Sequence, residues 1–172
     1  MLSPDECALR SGPDAMDRAG RLGPLRGWIA PLADALHALL ADGGARYAEW
    51  LYLTHTIAYR RLPSYLVALD LRRPDGSFAT VDERNAACAA AGMPVAPELR
   101  RGTLGTIDVV EAQLGPSRYG DEPAEGVVVR ALDGQPPRAA ELLRAGFRPL
   151  TDDAWRTERP RNQLADREAS WH

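Results

Sequence analysis

Residues 45–71, ARYAEWLYLTHTIAYRRLPSYLVALDL, set an acid (Glu49), a histidine (His55) and the pair Arg60–Arg61 among Tyr, Trp, Leu and Val residues that otherwise suit strands. A carboxylate fixed on a strand can accept from hydroxyls or hold a divalent cation, and an imidazole changes charge near neutral pH. A second carboxylate, Glu125, stands directly before the strongest strand signal, EGVVVRAL, and Arg130 lies within that run. A guanidinium there matches phosphate oxygens in pairs. Each residue also has an ordinary reading. Glu49 can face solvent, His55 can satisfy a local hydrogen bond, Glu125 can charge a sheet edge, and strand alternation can turn Arg130 outward. Tyr47, Trp50 and Tyr52 read as core. The pairs Arg60–Arg61, Arg72–Arg73 and Arg100–Arg101 read as solvated surface.

One chemistry is excluded by count. All 21 basic residues are arginine, so no lysine amine is present among the 172 residues. The net charge of −3 gives no global basic field, and any polyanion site must be a local arginine cluster. The chain has no apolar run of membrane-spanning length, which predicts no membrane partner. Cys7 and Cys88 form no metal-type pair and read as thiols in a reducing cytoplasm.

The elements that must position these residues follow from patterning. Apolar residues recur at three- and four-residue intervals from Leu22 to Ala41, predicting an amphipathic helix that starts near Pro31 and stops at Gly43–Gly44. Arg46–Leu53 and Ser64–Leu71 suit strands, and RRPDGSF suits a tight turn joining Leu71 to Phe78. Asp82 is a candidate cap for a helix over Glu83–Ala91. MPVAPEL reads as extended, TIDVVEAQL as a helix, DGQPP as a turn, and RAAELLRAGF as helical or partly extended. The expected organisation is an irregular segment over 1–20, one domain over 21–165 and a tail over 166–172. Alternating strands and helices of this kind predict an α+β fold.

In combination these segments resemble the ATP-dependent RNA ligase family, a branch of the covalent nucleotidyltransferases. YAEWLYLTHTIAYRRLPSYLVALDL is similar to the family's third motif and the strand after it. VDERNAACAAAGMPVAPELRRG is similar to the helix and strand that follow, and GPSRYGDEPAEGVVVRALDG resembles the approach to the fourth motif with its Glu-Gly pair. The resemblance covers roughly residues 8–165. It implies an incomplete nucleotidyltransferase domain, mostly antiparallel sheet with flanking helices, with ATP and Mg²⁺ as cofactors and RNA ends as partners. By the same resemblance Glu49 accepts from ribose hydroxyls, Glu125 holds the metal, and Arg10 and Arg130 meet phosphate. His55 and Tyr59 lie near the nucleotide or RNA end, and Leu69 takes the place of an aromatic that stacks on adenine.

Such enzymes attack the ATP α-phosphate with a lysine amine and pass AMP from it to an RNA 5′-phosphate. Here the Lys-x-Asp-Gly motif is missing, Ala48 replaces the Gly before Glu49, and Glu141 stands where the fifth motif has lysine. Trp155 resembles a position after that motif. The resemblance therefore implies a domain with no catalytic residue of its own. Three expectations compete: weak nucleotide or RNA-end binding, a non-catalytic interaction scaffold, or one part of a split ligase completed by a chain that supplies the missing N-terminal strands.

Overall fold

A computed structural model describes residues 23–40, 43–131, 138–148 and 159–166. Arg10, Trp155 and the DGQPP turn lie outside these residues. The described residues hold helices and small two-stranded sheets, as the α+β expectation requires. Among them no helix is long and apolar enough to cross a membrane.

The chain divides into two compact units. The first takes residues up to Tyr47 and Asp70–Met93. Its N-terminal helical stretch is α1 (Gly23–Ile29), a 3-10 turn (Ala30–Leu32) and α2 (Ala33–Leu40). The helix therefore begins before Pro31. Proline sits in the 3-10 turn, where its missing N–H interrupts the ladder without ending the helical path. RRPDGSF makes the expected turn: Arg73 N–H donates to Ser77 O at 2.7 Å, Arg72 bridges Phe78, and Gly76 takes the positive φ of 88°.

The next helix, α3 (Val81–Ala90), is capped by Thr80 rather than Asp82. The sequence T-V-D-E is a capping box. Thr80 Oγ1 accepts from Glu83 N–H, and the Glu83 carboxylate accepts from Thr80 N–H at 2.7 Å. Leu25, Cys88, Ala91 and Met93 are the buried apolar residues among the described residues of this unit, and Cys88 is a thiol outside any disulfide. Tyr47 is 44% exposed, not core, and lies against Phe78 with ring centroids 5.8 Å apart.

The second unit takes Ala48–Leu69 and the chain from Pro94 onward. Strand β1 (Ala45–Trp50) pairs with β2 (Leu66–Arg72), and Leu51 N–H extends the pairing to Tyr65 O at 2.7 Å. The strand ends at Trp50, short of Leu53, because beyond Leu51 the chain takes other partners: Leu53 bridges Arg161 and Thr54 N–H donates to Pro160 O. Val95 bridges Ala68, so MPVAPEL is extended as expected. The helix in TIDVVEAQL shortens to α4 (Ile107–Glu111).

Strand β3 (Gly126–Ala131) pairs antiparallel with β4 (Arg138–Leu143), in register Val128↔Glu141. RAAELLRAGF is thus strand first, its Ala, Glu and Leu propensity overridden by the β3 ladder. Leu51, Tyr52, Ile57, Leu62, Tyr65, Val67, Val127 and Leu164 are among the buried residues of this unit. Trp50, Tyr52 and Tyr65 contact one another, with the Tyr52 and Tyr65 rings edge-on at 5.1 Å.

Candidate functional site

The site forms inside the second unit, where strands deliver acids from distant parts of the sequence. Gly126 fixes the geometry at Glu125. A Cβ there would stand 2.4 Å from Leu142 O and 3.0 Å from Leu143 Cα, so only glycine lets β4 pass this close. The ladder continues one pair beyond β3, with Arg144 N–H donating to Glu125 O at 2.9 Å. This places Arg144 beside Glu125, and register places Glu141 opposite Val128.

Glu49, Glu125 and Glu141 lie close enough to repel one another. Glu49 is raised above its ordinary value by burial, then by Glu125 and Glu141. It is exposed by surface area, so water still reaches the carboxylate and tempers the lift. Burial also raises Glu125. A Tyr59 hydroxyl bond opposes that lift, Glu141 adds to it, and the Ile57 N–H and Arg144 oppose it again.

Two tyrosines border the acids. Tyr59 Oη donates to Glu125 Oε1 at 3.5 Å, the outer limit of a hydrogen bond. Burial and both neighbouring acids push the Tyr59 phenol far above its ordinary value. The Tyr119 phenol is pushed up to about 12, by burial and then by Glu49. The two rings meet edge-on with centroids 5.7 Å apart. The loop before Glu125 brings Tyr119 there. Tyr119 O accepts from the N–H groups of Arg60 and Arg61, each at 2.8 Å, and Gly120 passes close to Ala58 O.

The remaining sequence candidates have other surroundings. Arg130 Nη1 donates to Leu69 O at 3.3 Å, so β3 turns this side chain toward the middle of β2. His55 has a half-buried ring whose pKa is lowered by burial and then by Arg159, and its carbonyl accepts from the Arg159 guanidinium. Among the surface pairs, Arg61 binds Asp121, Arg73 binds Glu83 and Arg101 binds Glu98.

Three contributors escaped the sequence reading: Tyr119, Arg144 and Asn162. Arg144 was legible only through the β3–β4 register. Its Nε is buried without a hydrogen-bond partner among the described residues, and Phe147 lies under its guanidinium at 5.5 Å. Asn162 had no local signal at all.

Among the described residues no group of three His, Cys, Asp or Glu side chains could hold a metal ion by itself. The acids fit a cation only as one or two ligands, with phosphate and water completing the shell, which is how Mg²⁺ is commonly held. They do not fit a bare triphosphate, because Glu141 adds a third negative charge. The model of one family, described as RNA ligase, matches residues 13–144. No curated protein and no solved structure matches the chain.

Proposed function

Since the chain belongs to the RNA ligase family, we propose that its second unit is a nucleotidyltransferase-type pocket that binds a magnesium-complexed adenosine nucleotide, or the adenylated end of an RNA, without attaching AMP to itself. The observation that carries this reading is the meeting of Glu49 and Glu125. They lie 76 positions apart in sequence, yet Glu125 stands near enough in space to raise the proton affinity of Glu49. A ribose offers two hydroxyl donors to a carboxylate such as Glu49. Glu125, oriented by Tyr59 and the Ile57 N–H, would supply one oxygen ligand to a divalent cation. Arg144, beside Glu125, is the cation at hand for phosphate oxygens. When bound, Mg²⁺ would offset phosphate charge.

The 172 residues contain no lysine, so no amine-linked adenylate forms on them. A lysine-bearing strand supplied by another chain would complete a ligase, and this domain would then act as the part that holds the nucleotide. Glu141 favours a second reading, a scaffold that binds no nucleotide, because an acid there opposes phosphate.

Calorimetric titration separates the two. The pocket reading expects ATP binding with Mg²⁺ and its loss when EDTA removes the metal. Absence of heat at millimolar Mg·ATP leaves the scaffold. Incubation with radiolabelled ATP is expected to give no acid-stable adduct, and an amine-linked AMP on this chain would overturn the proposal.

A further inference from the structure

The family match stops at residue 144, yet the loop that carries Tyr59 is held from farther along the chain. Residues 159–164 run as a strap that bridges Leu53 through Arg161 and Leu62 through Leu164. Asn162, at the strap's centre, is 2% exposed. Its Oδ1 accepts from Tyr59 N–H at 2.8 Å and from Thr54 Oγ1 at 3.1 Å. Its Nδ2 donates to Leu51 O at 2.9 Å and Leu53 O at 3.2 Å. Both donors and both acceptor positions of the amide are therefore used on residues 51–59, beyond the end of β1. The main chain adds to the grip, since Gln163 N–H donates to Tyr59 O and Asn162 N–H to Tyr52 O, both at 2.9 Å.

We propose that Asn162 is a positioning residue of the candidate site, acting from outside the family-matched stretch to fix the Tyr59 backbone so that the phenol stands against Glu125 and Tyr119. The functional consequence rests on the nucleotide-pocket reading, whereas the geometric claim does not. Tyr59 has no regular ladder to hold it. Its N–H ends on the Asn162 amide and its carbonyl on Gln163, so its orientation is set by the strap. Arg159 acts on the same loop by donating to the carbonyls of Thr54 and His55. A domain cut at the end of the family match would keep every motif acid and lose the device that orients Tyr59.

The test is NMR on the full chain, following the Tyr59 amide exchange rate and the Tyr59 ring-proton shift, which the edge-on Tyr119 ring displaces. Asn162→Ala is expected to speed exchange at Tyr59 by about tenfold, the equivalent of one lost hydrogen bond. It is also expected to return the ring shift toward its unfolded value and to weaken Mg·ATP binding. Val110→Ala, a cavity at a buried residue of α4, serves as the control, because it lowers stability without removing any hydrogen bond to residues 51–59. If Asn162→Ala changes the Tyr59 signals no more than Val110→Ala does, the positioning role is wrong. If Asn162→Ala does not fold, Thr54→Val decides. This change removes one bond that orients the amide and is expected to move both signals the same way by less, and unmoved signals overturn the claim. Should the wild-type chain bind no nucleotide, the pocket reading fails by itself, and the amide and ring signals still decide the role of Asn162.

Discussion

Glu83 in the first unit and Glu49 in the second are both carboxylates exposed by surface area, and their surroundings treat them in opposite ways. Glu83 sits among donors: the Thr80 hydroxyl, the Thr80 N–H and the Arg73 guanidinium, in that order of effect, hold it down at about 2. Glu49 is raised, by burial first and then by Glu125 and Glu141. A carboxylate surrounded by donors favours the fold, whereas acids forced together oppose it. The first arrangement is a capping box, which local sequence explains in full. The second has no local explanation, and its cost in burial and repulsion is what marks it as a site. Four substitutions test this contrast.

The largest effect is expected at Gly126. Gly126→Ala drives a Cβ into the β4 backbone, so the hairpin must splay or unpair. The expected loss is about 3 kcal/mol, the upper range for overpacking, read as a lower urea midpoint. Gly105→Ala, where a Cβ meets nothing within 4 Å, should change the midpoint little. Equal losses at the two glycines would mean that the close approach of β4 does not hold Glu125 in place.

This glycine also shows what the sequence could reveal. Glu125–Gly126 was legible as a motif because the constraint is local: an acid beside a residue that must lack a side chain. The α+β class and the family were legible for the same reason. Thr80 was legible too, since a Thr three residues before Glu is a capping signature, but the neighbouring Asp82 competes for the same role on propensity alone. β4 misleads because its Ala, Glu and Leu favour a helix, and only the ladder from β3 makes it a strand. Asn162 was illegible. Its four bonds reach residues more than a hundred positions away, and no pattern near 162 announces them.

The second effect concerns ligand affinity. Glu141→Lys replaces an acid of the cluster with a cation. It removes one repulsion from Glu49 and Glu125 and adds an attraction for phosphate. Binding of Mg·ATP is expected to tighten by about tenfold, or about 1.4 kcal/mol. The gain should shrink as salt rises, because the position is exposed. Unchanged or weaker affinity would show that Glu141 does not face the phosphates.

The third probes the satisfied carboxylate. Thr80→Ala removes the cap oxygen and the first-named hydrogen bond to Glu83, with an expected loss of about 1 kcal/mol at neutral pH. The dependence on pH carries a defined sign. The folded-state pKa of Glu83 lies below its ordinary value of 4.5, so its contribution is present above that value and lost as pH falls toward about 2. The wild-type and Thr80→Ala midpoints should therefore converge on acidification from pH 4.5 downward. A constant gap would place the effect in helix propensity rather than in the carboxylate.

The smallest effect has the opposite sign and draws the contrast most sharply. The folded-state pKa of Glu49 is raised, so stability is fully present below the ordinary 4.5 and is lost as pH climbs through the folded value and the carboxylate ionises beside Glu125 and Glu141. Glu49→Gln keeps the shape and removes the charge, so this loss disappears. The variant should match the wild type near pH 4 and exceed it at pH 8, by a few tenths of a kcal/mol, as befits a group that water still reaches. The same substitution should weaken Mg·ATP binding at pH 8, because a ribose hydroxyl loses a charged acceptor. Higher stability with poorer binding from one side chain would identify Glu49 as a residue kept against the interest of the fold. Lower stability at pH 8 would place Glu49 in the same class as Glu83, an acid that the fold itself needs.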